Sequence, residues 1–236
     1  MEEAEFDKFA DEYADMHAAN IRISGETPDF FAAYKISDVR REVGAAGGST
    51  DELTIVDLGS GVGNSIPHFR HDFPSATLRC LDVSERSLKI AENRYPNSAE
   101  FIHFDGRRMP IEDESADVGF AACVFHHIDH ALHLPLLEEF NRVLKPGGRL
   151  FIFEHNPLNP LTVHAVNTCP FDENAKLIYG SAMKTRFRQA GFADVRLKYR
   201  LFFPNILSFL RPLESLLVSV PLGAQYYVSG RKPASE

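Results

Sequence analysis

Cysteine is scarce in this chain. Cys80, Cys123 and Cys169 lie far apart and form no CxxC pair. That excludes a disulfide scaffold or a zinc ribbon, and it is the pattern expected of a reducing cytoplasm. Long apolar runs are missing too. A membrane-spanning helix needs ~18 uninterrupted apolar residues. The most apolar stretch, residues 201–222, is broken by Arg211, Glu214 and three prolines, so no stable membrane insertion is expected. The acidic start "MEEAEFDKFADEYADMH" has no apolar signal core, and export is not expected. Basic residues are in deficit, 25 against 33 acidic ones, for a net charge of −8. That disfavours nucleic acid as a partner. No internal repeat or low-complexity tract is present.

What is there reads as an ordinary soluble composition. The 236 residues are 44% hydrophobic, enough to bury one full core. Residues 5–20 and 28–43 have apolar positions recurring at three and four, and "GAAGGST" (44–50) reads as a hinge after them. The expected division is an N-terminal helical lid over 1–48 and a main domain over 49–236. In that domain strands alternate with helices. "LTIVDL", "ATLRCLDV" (76–83), "AEFIHF" (99–104), "ADVGFAACVF" (116–125) and "RLFIFEH" (149–155) read as strands. Helices are expected over 64–71, after the cap Ser84, over 134–144 with Pro135 near its start, and around 181–190. Two more strands, 193–202 and 224–230, close the chain. The fold class is α/β, with a parallel sheet covered on both faces.

The turn after the first strand, "VDLGSGVGN", poses a chemical question. Gly59, Gly61 and Gly63 suit a phosphate cradle, yet Asp57 at the mouth would repel a phosphate. In a doubly wound sheet, ligands sit beyond the carboxyl ends of the strands. A dinucleotide site uses GxGxxG; here the third glycine comes one residue early and Asn64 follows it. A nicotinamide-dependent dehydrogenase is therefore the weaker alternative. Asp82 ends the second strand, where a carboxylate accepts from ribose hydroxyls, with Val83 beside it. Asp105 ends the third strand and is placed to accept from an adenine amino group, with the Gly106 N–H at a ring nitrogen. Any one of these acids alone would read as a turn cap. Together they describe an adenosine ligand that carries an ammonium and no phosphate, as S-adenosylmethionine does.

The stretches "VDLGSGVGNS", "LRCLDVSERSLKIAENR", "HFDGRRMP", "SADVGFAACVFHHI" and "FNRVLKPGGRLFIFEH" resemble, in order, the class I S-adenosylmethionine-dependent methyltransferases. The likeness is to the small-molecule type that includes the ubiquinone- and menaquinone-biosynthesis enzymes, over about residues 50–155. The resemblance implies a Rossmann-like, seven-stranded, mostly parallel sheet whose last strand is antiparallel. It implies that Gly59, Gly61 and the Asp57 region surround the methionine part, that Asp82 binds ribose, and that Asp105 with Gly106 holds adenine. It implies that Cys123 lines the floor near the methionine. It also implies that the helix carrying "FDKFADEYADMH" closes over the cofactor, with Tyr13 near its carboxylate. A protein of this fold that binds the cofactor without transferring methyl is the remaining alternative.

Methyl transfer needs alignment and a dry pocket, and a base only if the nucleophile arrives protonated. His126 and His127 follow the fourth strand, near the transferred methyl, and are the candidates for substrate contact or a base. "FHHIDHALH" also holds His130 and His133. No metal is expected there, because Pro135 delays the next helix and the four histidines then share no helical face. Glu154, His155, Asn156 and Asn159 end the fifth strand and are expected on the substrate rim. Between the last two strands lies an apolar segment, 203–223, with leucines and isoleucine at helical spacings. It is expected to roof a small, partly apolar methyl acceptor; a homodimer contact is the alternative. Residues 1–30 carry nine acids and residues 180–236 nine bases, two faces placed to attract each other.

Overall fold

A computed structural model describes residues 25–45 and 52–234. Its centre is a seven-stranded sheet in the order β3-β2-β1-β4-β5-β7-β6. The strands are β1 (Thr54–Leu58), β2 (Thr77–Asp82), β3 (Glu100–His103), β4 (Ala116–Ala122), β5 (Leu144–His155), β6 (Ala193–Arg200) and β7 (Gln225–Arg231). β7 runs antiparallel to both β5 and β6; the other neighbours are parallel. The helices are α1 (Pro28–Ala45), α2 (Ile66–Asp72), α3 (Glu85–Arg94), α4 (His130–Val143), α5 (Pro160–Thr168), α6 (Gly180–Gln189) and the short α7 (Glu214–Leu217).

The central strands are buried on both faces, as in parallel sheets generally. Leu150 and Ile152 of β5 face a core shared with Leu137 and Phe140 of α4 and Phe187 of α6. Phe151 and Phe153 face the opposite core with Ile36 and Val39 of α1 and Phe69 of α2. α1 thus packs into the body. Across the sheet edge it is fastened by Asp38 to Arg200 (2.6 Å) and by Glu42 to Lys198. Gly44 and Ala45 of the expected hinge (44–50) belong to α1; its remainder, 46–50, and most of the 1–48 segment lie outside the described residues. Glu26 pairs with Arg211, so at that point the acidic and basic ends of the chain do meet.

Three elements differ from expectation. β4 stops at Ala122 because Cys123 takes a left-handed φ of 58°, and a 3₁₀ turn, Phe125–His127, follows. α4 starts at His130, not 134. Asp129 caps it by accepting the Ala131 N–H at 2.8 Å, and Pro135 sits in the second turn. "KPGG" does not precede β5 but lies inside it, beside a shift in the β4–β5 register. The segment before β7 is a 3₁₀ stretch, Asn205–Leu213, running into α7. Buried Glu214 folds it back by accepting the Phe202 and Phe203 N–H groups. Its outer face is left uncovered by the described residues: Ile206, Phe209 and Leu216 are 85%, 73% and 79% exposed.

Candidate active site

A cavity of about 350 Å³ opens beyond the carboxyl ends of β1, β2, β4 and β5. Asp57, Gly59, Ser60, Gly61 and Asp82 line one part of it. Cys123, His126, His127, His155, Asp172 and Gln225 line another, with Phe202 and Phe203. Lys35 and Phe31 of α1 are also on the wall.

The glycine turn is fastened to the tip of β2. Gly59 N–H and Ser60 N–H donate to the Leu81 carbonyl, at 2.7 and 3.2 Å. Asp82 Oδ2 accepts from Gly61 N–H at 2.8 Å, and Oδ1 from Ser84 N–H at 2.9 Å. Asp82 is therefore buried and braces the turn as well as lining the cavity. Gly59 has φ 72°, and a Cβ there would lie 2.4 Å from Val124 Cγ2. Only glycine lets the turn touch the loop that carries Cys123. At Gly61 (φ 53°), among the described residues, nothing lies within 4 Å of such an atom, so they leave that side of the turn open.

Asp57 carries the unusual charge. Burial, and then the neighbouring Asp82 carboxylate, push its carboxyl up to about 8, with Lys35 pulling the other way. An incoming cation would restore the carboxylate. Cys123 behaves in the opposite sense. Burial alone would raise its thiol, but the Lys35 ammonium and then His155 bring it down to about 7. Lys35 Nζ lies 3.6 Å from Cys123 Sγ, and Gln225 Nε2 lies 3.8 Å from it.

The fifth-strand rim divides. His155 and Asn159 are on the cavity wall. Glu154 and Asn156 are not; both are buried and bonded to protein. Glu154 Oε1 accepts the Val124 and Phe125 N–H groups at 3.1 and 2.8 Å, and Oε2 lies 2.5 Å from His126 Nδ1. It anchors the loop after β4. The Asn156 amide donates to the Pro221 and Gly223 carbonyls, tying β5 to the strap before β7. For both residues the expected substrate contact gives way to these internal bonds. His126 is not placed as a free base either. Burial would lower its imidazole, but Glu154 raises it to about 10. His127 is lowered, chiefly by burial. His133 is a core residue: its Nε2 lies 2.9 and 3.0 Å from the Phe125 and Ile128 carbonyls and its Nδ1 2.9 Å from Arg186. With Arg186 a donor, Nδ1 accepts and Nε2–H donates.

Asp105 and Gly106 are off the cavity wall. Exposed Asp105 accepts from the Arg107 and Arg108 N–H groups, as a turn cap does. Val83 is buried beneath Gly106. Tyr13 lies outside the described residues. Sequence reasoning missed Lys35, Asp172 and Gln225. Helical periodicity marks Lys35 only as one more position on α1, and nothing local marks Asp172 in "CPFDENAK".

Residues 56–152 match the family described as "Methyltransferase domain". Over this stretch the chain is similar to a methyltransferase domain. The chain is 26% identical over 172 residues to the malonyl-[acyl-carrier protein] O-methyltransferase of Methylococcus capsulatus, which covers 69% of this chain and 61% of that protein. It is 31% identical over 160 residues to the demethylmenaquinone methyltransferase of Thermotoga maritima, covering 67% and 64%. The alignments thus span less than two thirds of these curated relatives. The fold matches a solved SAM-dependent methyltransferase of Thermotoga maritima, described as a possible histamine N-methyltransferase. The TM-score is 0.66 at 20% identity, covering 97% of this chain and 98% of that one. The matched stretch holds most of β1, all of β2 to β4, most of β5 and the glycine turn. On the far wall, Cys123, His126 and His127 lie inside the matched stretch, and His155, Asp172 and Gln225 lie outside it. Among the described residues no helix is long and apolar enough to cross a membrane.

Proposed function

We propose that the chain transfers a methyl group from S-adenosylmethionine to a small, partly apolar acceptor by direct displacement. The observation that carries this is Asp57, a buried carboxyl with a raised pKa at the mouth of a glycine turn. A pyrophosphate would add repulsion there, whereas an ammonium or sulfonium removes it. The residues present fit the cofactor: the Gly61 side of the turn is open, Asp57 meets its ammonium and Asp82 its ribose. Lys35, on the same wall, supplies a cation for its carboxylate. Asp105 with Gly106 remains our assignment for adenine, and Tyr13 for the carboxylate from the N-terminal segment. Bound there, the cofactor supplies an activated methyl group, and the chain's task is to orient an acceptor and exclude water.

The acceptor sits against Cys123, His127 and His155, under Phe202, Phe203 and Pro204. That apolar strap is the proposed roof. His127, the less basic of the paired histidines, faces the acceptor on this wall. Three free cysteines, two of them buried, support a cytoplasmic setting. The test is transfer of radiolabelled methyl from S-adenosylmethionine to a small-molecule extract, followed by identification of the product. A labelled small molecule formed by the native chain and not by Asp57→Asn supports the reading. Cofactor binding without any labelled product would make this a binding protein.

A further inference from the structure

The described residues bring together three potential ligands from two distant segments: the adjacent His126 and His127, and Asp172. Asp172 Oδ1 lies 3.6 Å from His126 Nε2 and 3.4 Å from His127 Nε2. One candidate ligand atom from each residue lies within 4.8 Å of the others. A neutral or charge-assisted hydrogen bond would put each pair at about 2.7–3.2 Å. A divalent ion in four-coordinate geometry, with bonds of about 2.0–2.2 Å, holds its ligand atoms roughly 3.3–3.5 Å apart. The two Asp172 spacings lie nearer the second arrangement than the first.

The surroundings are also those of a metal site. Ligating imidazoles usually give their other ring nitrogen to a carboxylate, which fixes the tautomer. His126 Nδ1 does so to Glu154 at 2.5 Å, inside the protein. The third ligand is held in place from a distance: Lys176 N–H donates to the His126 carbonyl at 2.8 Å, and Asp172 N–H to the Cys169 carbonyl at 3.0 Å. All three ligands are on the cavity wall. Two carboxylates, Glu154 and Asp172, balance the charge of a divalent ion. The expectation of no metal rested on helical faces within 126–133 and did not weigh Asp172, 45 residues downstream of His127.

We propose that His126, His127 and Asp172 bind one divalent transition-metal ion of the zinc type on the acceptor wall of the cavity. Two imidazoles and one carboxylate suit zinc, cobalt or iron(II) rather than magnesium or calcium. Three protein ligands leave a position open to the cavity, as in catalytic rather than structural sites. The acceptor class that follows is an oxygen nucleophile, a phenol or hydroxyl. Its O–H proton leaves to solvent as the oxygen binds the ion. The oxygen then forms the bond to the methyl carbon as the carbon–sulfur bond breaks, the electron pair staying on sulfur. This role rests on the methyl-transfer reading; the ion site does not.

The experiment is titration of the metal-stripped full chain with Co(II), followed by visible absorption and calorimetry. The same protein and its variants are separately titrated with S-adenosylmethionine. One equivalent of Co(II) with d–d absorption is expected. His127→Ala and Asp172→Asn should each weaken it at least tenfold while changing cofactor affinity less than about threefold. Absence of Co(II) binding, or binding that neither variant weakens, overturns the proposal. Co(II) binding with no cofactor binding would leave the ion site standing and remove its role in methyl transfer.

Discussion

At the β1–β2 end of the cavity the wall comes from residues 57–65 with Asp82 and Ser87, all within one strand–turn–strand unit and the helix after it. At the other end it comes from 120–127, 155–172, 201–211 and 224–225. The first end is fixed by local bonds, such as Gly61 to Asp82 and Gly59 to Leu81. The second is fixed by bonds between distant segments: Glu154 to Phe125, Asn156 to Gly223, and Lys176 to His126. One end can thus keep its chemistry while the other is varied through loops and straps.

The largest expected effect removes that independence. Gly59→Ala places a methyl into Val124 at a left-handed backbone position. Strain and overpacking should cost about 2–4 kcal/mol of stability. Because Val124 leads into the histidine turn, acceptor turnover should fall together with cofactor affinity. Chemical denaturation and cofactor titration of the variant check this. Asp82→Ala should act on one end only, weakening the cofactor by ~2–3 kcal/mol as charge-assisted bonds are lost. It should also lower the melting temperature, since the Gly61 N–H loses its acceptor. An unchanged melting point would show that the turn holds without Asp82.

A pH series sharpens the same comparison. In the empty protein the Asp57 carboxyl is raised to about 8, so below that pH it is mostly protonated. A cationic ligand binds the ionised form, so binding releases a proton. Affinity should therefore rise by up to ~tenfold per pH unit toward 8 and level off above it. Asp57→Asn should flatten the profile. At the other end, His155→Ala should cut turnover while cofactor affinity stays within about threefold. The smallest effect belongs to the outer strap: Leu216→Ser, at an exposed position, should change stability by less than ~0.5 kcal/mol.

This division also explains what the sequence made legible. Strand–helix alternation and the acids at strand ends are short-range patterns. They pointed to the sheet, to Asp57 and to Asp82. The end of β4 was misread because an apolar run hides the left-handed turn at Cys123. The start of α4 was misread because Pro135 was weighed above the Asp129 cap. Glu154 and Asn156 end a strand at a rim, but only tertiary structure shows their side chains turned inward to hold loops. Asp172 and Gln225 reach the cavity through long crossovers, and no local spacing announces them.

The most direct test of the central claim is calorimetric titration of the full chain with S-adenosylmethionine at pH 8, set beside Asp57→Asn and a nicotinamide dinucleotide. The account predicts one equivalent of S-adenosylmethionine bound, at least tenfold weaker binding in Asp57→Asn, and no binding of the dinucleotide. Dinucleotide binding, or S-adenosylmethionine binding untouched by the loss of the Asp57 charge, would contradict it.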